Sequence, residues 1–179
     1  MNVRKIEVGY LHTNCYILEQ KGSCIVIDPG DELDSIETQI GKNKLLAVLV
    51  THHHEDHVGA LDALIQKYQV PVYDFHTTKE QKYEVGPFVF EVIHTPGHTS
   101  DSITFYFYLY QLMFVGDFIF KGTIGRTDLE TGNALTMKES IVKIKKYPEI
   151  IKCYPGHGEN TSLKEEKENN YFFLHNNLS

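Results

Sequence analysis

The sequence predicts an α/β fold whose chemistry is carried at strand ends. Three observations lead there. Apolar runs such as Leu45-Leu46-Ala47-Val48-Leu49-Val50 and Cys24-Ile25-Val26-Ile27 show no polar alternation, so they read as strands covered on both faces. Between such runs lie segments whose apolar residues recur three and four apart, the period of a helix packed by one face. Several runs end directly in a tight turn or in a cluster of His and Asp, and in open α/β sheets ligands gather beyond the carboxyl ends of the strands.

The chain has 179 residues, 41% hydrophobic and 23% charged, enough for one substantial core, so a single domain over residues 1–179 is expected. A formal charge of -7 argues against a nucleic-acid partner, which would call for a basic face. Cys15, Cys24 and Cys153 are odd in number and sit in strand-like contexts, so they read as buried thiols of a reducing compartment. No segment approaches ~18 consecutive apolar residues and the first residues lack a long apolar region. A cytoplasmic protein with no membrane partner is the expectation.

In order, residues 6–8 and 14–19 read as strands, and Lys21-Gly22 turns the chain into a buried strand over 23–28. Asp28-Pro29-Gly30 stops it. Residues 31–40 read as an amphipathic helix with Leu33, Ile36 and Ile40 on one side and Gly41 at its end. The run 45–50 is the next strand. Val58-Gly59-Ala60 leads into a helix through Tyr68, its small residues allowing a close approach to the preceding cluster. Strands over 70–75 and 88–94 follow, separated by a polar segment. Aromatic-rich strands over 103–109 and 112–115 come next, then a polar connection over 118–135. The pattern predicts a helix over 136–147 with Thr136 as N-cap and Glu139 completing a capping box. A final strand over 150–154 and a charged helix over 162–177 with the stripe Tyr171-Phe172-Phe173 complete the chain.

The strongest chemical signal is Thr51-His52-His53-His54-Glu55-Asp56-His57, directly after the buried strand. A merely solvated loop has no use for four imidazoles in seven residues. Imidazole with carboxylate suits zinc, iron or manganese. On an extended loop His52 and His54 project to one side and can share an ion, while Asp56 and His57 fall on the next turn towards a second position. The remaining ligands must come from elsewhere. Thr95-Pro96-Gly97-His98 forces a turn that presents His98 as the third ligand of the first ion, and Pro155-Gly156-His157 repeats the device for the second. Asp117, at the end of the strand before it, has two oxygens and can bridge ions ~3.5–4 Å apart. Asp28, beside a rigid turn, is placed to orient a ligating His from behind. Lys121 and Arg126, close to Asp117, are candidates for holding an anionic substrate. His12, His53, His76, His94 and His175 read as surface histidines, and Asp101 as a residue fixing its own turn.

These motifs, His52-x-His54-x-Asp56-His57, Pro96-Gly97-His98, Gly116-Asp117 and Pro155-Gly156-His157 in this order, resemble those of the metallo-β-lactamase superfamily over nearly the whole chain. The resemblance implies a four-layer αββα sandwich with a metal site at one edge of the facing sheets. Within the superfamily the sequence is most similar to glyoxalase II and its short single-domain relatives, through Gly116-Asp117-Phe118-Ile119-Phe120, Ile124-Gly125-Arg126, Thr13-Asn14-Cys15-Tyr16 and Ile27-Asp28-Pro29-Gly30. Asp rather than Cys at 117 speaks against the antibiotic-hydrolysing branch with a thiolate on its second zinc. Two departures stand out: about twenty residues follow His157 where full-length glyoxalase II adds a helical domain, and Ser100-Asp101 replaces the Pro-Gly of many relatives.

The resemblance and the ligand set together imply two Zn²⁺ ions, with iron or manganese as substitutes, and a bridging hydroxide generated near neutral pH and oriented by Asp56. The expected reaction is hydrolysis of a small-molecule thioester, with S-2-hydroxyacylglutathione as the type substrate. A lactone or ester hydrolase of the same fold, a mononuclear iron persulfide dioxygenase using part of this ligand set, and a non-enzymatic zinc module are the alternatives. A purely structural zinc site would be closed and four-coordinate, whereas this set leaves a place for solvent.

Overall fold

A computed structural model describes residues 1–175. The first sheet has five strands in spatial order β1 (Asn2–Val8), β2 (Thr13–Gln20), β3 (Ser23–Ile27), β4 (Lys44–Leu49) and β5 (Val72–Tyr73). Its first three strands are antiparallel neighbours, and β3, β4 and β5 run parallel. The second sheet has six strands: β13 (Thr161–Ser162), β12 (Lys152–Pro155), β9 (Leu112–Gly116), β8 (Ile103–Phe107), β7 (Phe88–His94) and β6 (Lys82–Val85) in that spatial order. Since β7 is antiparallel to β8, and β8 to β9, while β12 is parallel to β9, the strands β7, β9 and β12 all end at the same edge. A small hairpin, β10 (Ile119–Phe120) and β11 (Thr123–Ile124), stands beyond the end of β9.

The two sheets face each other through one apolar layer. Leu18, Ile25, Ile27 and Leu49 of the first meet Phe88, Phe90, Phe105 and Phe114 of the second. The intervening residues of the same strands point outward and are equally buried. Ile17, Cys24, Val26 and Val48 pack under α1 (Leu33–Ile40) and α3 (Leu61–Tyr68), while Ile93, Met113, Val115 and Cys153 pack under α4 (Ala134–Ile144), α5 (Leu163–Asn169) and α6 (Tyr171–His175). The result is the expected αββα sandwich, and it explains why the strands read as unbroken apolar runs: both faces are covered. Among the described residues no helix is long and apolar enough to cross a membrane.

Several elements differ from expectation for local reasons. The polar segment before β7 contains β6, an edge strand whose Lys82 and Glu84 face solvent while Val85 is buried, so its composition mimics a loop. The fifth strand is only two residues long: Pro71 has no N–H to donate, and Asp74 turns the chain by accepting from the N–H of Thr77. Helix α4 begins earlier than the spacing suggests. Its N-cap is Asn133, which accepts from the N–H groups of Leu135 and Thr136, and Thr136 donates its own hydroxyl back to the Asn133 carbonyl. The chain does not finish its strands at β12, since β13 follows. The expected helix over 162–177 is two helices, broken at Asn170, whose side chain bonds the Thr123 carbonyl and Glu166; residues 176 and 177 lie outside the described residues.

Candidate metal centre

Five connections meet at one edge of the sandwich. The turn after β3 brings Asp28, the segment after β4 brings His52, His54, Asp56 and His57, and the ends of β7, β9 and β12 bring His98, Asp117 and His157. Asp56 and His57 lie on a one-turn helix, α2 (Glu55–Val58), with His54 at its N-cap. The two halves of the sandwich are stitched here. The Asn14 N–H donates to the Gly156 carbonyl at 2.7 Å, Thr13 forms an isolated bridge with His157, and Asn14 Nδ2 and the Tyr16 hydroxyl both donate to the Pro155 carbonyl.

Close backbone approach is a condition of this geometry. A Cβ on Gly156 would lie 2.2 Å from Asp117 Oδ1 and 2.5 Å from His57 Cε1, and one on Gly30 would lie 1.8 Å from the Asp56 carbonyl oxygen. Gly59 serves the packing of its own segment on the Gly30 backbone rather than an approach to the cluster, since a Cβ there would lie 2.3 Å from the Gly30 carbonyl oxygen.

The structure brings all seven predicted ligand side chains together. His54 Nδ1 lies 3.1 Å from His52 Nε2 and 3.0 Å from His98 Nε2. Asp117 Oδ2 is 3.5 Å from His98 Nε2 and 3.5 Å from His157 Nε2, while its Oδ1 is 3.3 Å from His57 Nε2. Asp56 Oδ2 is 3.2 Å from His157 Nε2 and 3.5 Å from His57 Nε2. Asp117 therefore stands between a group of His52, His54 and His98 and a group of Asp56, His57 and His157.

The far side of each ring decides which way its lone pair points. His57 Nδ1 faces Asp28 Oδ2 at 3.1 Å, His98 Nδ1 faces the Arg126 carbonyl at 2.8 Å, and His157 Nδ1 faces the Leu11 carbonyl at 3.1 Å. His52 Nδ1 faces the Thr51 hydroxyl at 3.2 Å, which itself donates to Asp28. Each outer nitrogen thus carries the proton, and the Nε2 lone pairs of four rings turn inward onto carboxylate oxygens and His54. Without a cation these inner contacts can be met only by a second proton on a ring, which is why, against their burial, the carboxylates raise His57 and His157. His57 Nε2 and Asp117 Oδ1, despite their approach, lack hydrogen-bond alignment and remain buried without a partner. A cation is the group that such a convergence of lone pairs fits, so the residues present suit the metal ions inferred from sequence.

Ionisation follows the same division. Burial, reinforced by the neighbouring imidazoles, holds His52 well below the ordinary histidine range, and burial with His98 lowers His54. Burial also disfavours a proton on His57, but the carboxylates of Asp117 and Asp28 overturn it and raise the ring to about 10. His157 is raised against its burial by Asp56. Asp56 is held below the carboxylate range, burial being outweighed by His157, His57 and the 2.7 Å bond from the Thr13 hydroxyl.

The cluster opens into a cavity of about 520 Å³ whose wall includes Tyr10, Leu11, Leu129, Arg126, Asp56 and His157. Arg126 reaches it, although its guanidinium is held by Asp128 in a two-pronged pair at 2.7 and 2.8 Å. Lys121 does not line this cavity. It pairs with Glu159 at 2.7 Å beside a separate depression next to His157. Sequence reasoning missed Thr13 and Thr51 as supports of Asp56 and Asp28, because hydroxyls at strand ends carry no spacing signal. It also set aside His53, His76 and Asp101, which the structure gathers into a second group beside the first.

A sequence profile of the family described as the Metallo-beta-lactamase superfamily matches residues 8–81 and 74–157. The chain belongs to this superfamily. Similar curated proteins include a probable metallo-hydrolase, YqgX, from Bacillus subtilis, 33% identical over 96% of this chain and 97% of its own length. Hydroxyacylglutathione hydrolase GloC from Haemophilus influenzae is 30% identical, over 96% and 98%. Among solved structures, the B3 metallo-beta-lactamase BLEG-1 superposes with a TM-score of 0.91 at 30% identity, covering 97% of this chain and all of its own. TTHA1623 in a di-iron-bound form gives 0.86 at 28% identity, over 94% and 99%, and ETHE1 from Myxococcus xanthus 0.87 at 28%, over 100% and 92%.

Proposed function

We propose that the chain is a dinuclear metal-dependent hydrolase acting on a small-molecule thioester. His52, His54, His98 and Asp117 would hold one ion, and Asp56, His57, His157 and Asp117 the other. The observation that carries this reading is the inward turn of the imidazole lone pairs onto two carboxylates, each ring fixed from behind by its own oxygen. Zinc suits a set of five imidazoles and two carboxylates, and the di-iron form of TTHA1623 makes iron the principal alternative. Bound divalent ions supply an activated water near neutral pH and polarise a carbonyl.

The chain's own residues do the rest. Asp56 stays ionised and, tethered by Thr13, offers an oxygen on the cavity wall that can accept a hydrogen bond from an attacking water and fix its direction. Asp28 sets the tautomer of His57 and, through Thr51, that of His52. Tyr10, Leu11 and Leu129 give the acyl group an apolar wall. A thiol leaving group, with a pKa of ~8.5, departs without a strong protein acid, which accords with a cavity wall that holds no lysine among the described residues.

A glutathione conjugate is the first substrate to test, as the named activity of GloC indicates. The second group of ligands, Asp56, His57 and His157, supports two ions over the single iron of a dioxygenase. The test is hydrolysis of S-lactoylglutathione, a simple lactone and a cephalosporin by the purified chain, before and after chelation. Thioester turnover that vanishes on chelation and returns with zinc supports the reading. No turnover of any ester by fully loaded protein, or preference for the cephalosporin, which the likeness to BLEG-1 keeps in the panel, overturns it.

A further inference from the structure

Beside the main cavity lies a second depression of about 330 Å³, walled by His53, His76, Thr99, Ser100, Asp101 and Glu130 among others. Three connections meet there: His53 comes from the segment after β4, His76 from the turn after β5, and Asp101 from the link between β7 and β8. One ligand atom from each of His53, His76 and Asp101 lies within 4.8 Å of the others.

The ring of His53 is held from behind. Its Nε2 faces Asp74 Oδ2 at 3.2 Å, and Asp74 is itself buried and fixed through Oδ1 by the N–H and hydroxyl of Thr77, each at 2.8 Å. With Nε2 turned to Asp74, Nδ1 is the nitrogen left for Asp101. That nitrogen meets Asp101 Oδ2 at 2.6 Å. So close an approach of an imidazole nitrogen and a carboxylate oxygen is bridged by a proton or a cation. A proton would suffice for this pair alone, but it has no need of a third donor. The imidazole of His76, its ring centroid 5.2 Å from that of His53, converges on the same place, and a second imidazole is what a metal ion uses. Carboxylate behind imidazole, imidazole and a second carboxylate in front, is the layout in which an outer partner orients a ligating His.

We propose that His53, His76 and Asp101 form a further divalent-cation site for an ion of the zinc class, with Asp74 orienting His53 and solvent completing the coordination. It shares no ligand with the dinuclear centre. Its ion would tie together three connections, two of which also carry His52, His54 and His98.

The test uses the holo-protein with its resident metal counted first by elemental analysis, so that a failure of the dinuclear reading is seen separately. Titration with Zn²⁺ followed by calorimetry is expected to show one additional site per chain in the wild type. In His76→Ala and Asp101→Asn that site is lost or weakened at least tenfold, with resident metal content and basal turnover unchanged. His76 is exposed, so its replacement leaves the fold intact. No additional site in the wild type, or the same affinity and stoichiometry in both variants, overturns the proposal and leaves a protonated His53 between two carboxylates.

Discussion

Asp28→Asn is the perturbation that most cleanly separates support of the metal ligands from their identity. Asp28 is buried, with φ 51°, and accepts three bonds: from the Thr51 N–H at 2.8 Å, the Thr51 hydroxyl at 2.7 Å, and His57 Nδ1 at 3.1 Å. Asparagine keeps the shape and one acceptor for the Thr51 N–H, but turns an NH₂ towards His57. His57 must then shift its proton to Nε2, which faces Asp117 and the ion site. One oriented bond to a charged acceptor is worth about 1.5–3 kcal/mol, and loss of such an outer partner lowers metal affinity roughly 10–100-fold. The two figures agree, since about 1.4 kcal/mol corresponds to tenfold in an equilibrium. Chelator competition on the metal-loaded variant is expected to show that weakening for the ion on Asp56, His57 and His157 and also, because the same amide denies the Thr51 hydroxyl its acceptor and turns it towards His52, for the ion on His52, His54 and His98. Affinities for both ions within twofold of wild type would refute the reasoning.

Other expectations follow from the same geometry. Gly156→Ala would drive a methyl group into Asp117 Oδ1 and His57, so metal content at the Asp56–His57–His157 position should fall at least tenfold while the fold persists; a fully loaded variant would show that the approach is not needed. In the metal-free protein His57 and His157 bind protons more tightly than an ordinary histidine and His52 and His54 more weakly. A raised pKa means that protons begin to compete at higher pH, so as pH falls the ion on His57 and His157 should leave first. Metal content measured against pH, with anomalous diffraction at the intermediate, checks this; release in the reverse order contradicts it. Phe105→Ala, in the layer between the sheets and edge-on to Phe90 at 5.7 Å, should cost about 3–5 kcal/mol and lower Tm by roughly 6–20 °C, read by thermal unfolding. A shift under ~3 °C would mean that the sheets do not pack through that ring.

How much of this was legible in the sequence depended on whether the determinant was local. The strand ends could be read because apolar runs such as 45–50 stop abruptly at His, Asp or Pro-Gly, and this marked the seven side chains gathered at the candidate dinuclear centre. The edge strand β6 was hidden because one face is solvated, so Lys82 and Glu84 looked like a loop. Asn133 displaced Thr136 as N-cap because helix α4 is anchored at its start to the turn presenting His98: the Asn133 N–H donates to the Gly97 carbonyl, and Ser140 to that of Pro96. Glu166, within a segment read as a charged helix, is fully buried and accepts from Gly122, Thr161 and Asn170, bracing the hairpin beyond Asp117. His53 shows the limit most clearly. Alternation correctly turned it away from His52 and His54, but only the fold brings Asp74, His76 and Asp101 to meet it.

Anomalous diffraction from crystals grown with zinc, collected across the metal edge, tests the central claim most directly. Two strong peaks are expected about 3.5–4 Å apart, one about 2.0–2.1 Å from nitrogens of His52, His54 and His98, the other equally close to His57 and His157 and bound by Asp56, with Asp117 touching both. A single peak, or peaks that leave these imidazole nitrogens uncoordinated, would contradict it.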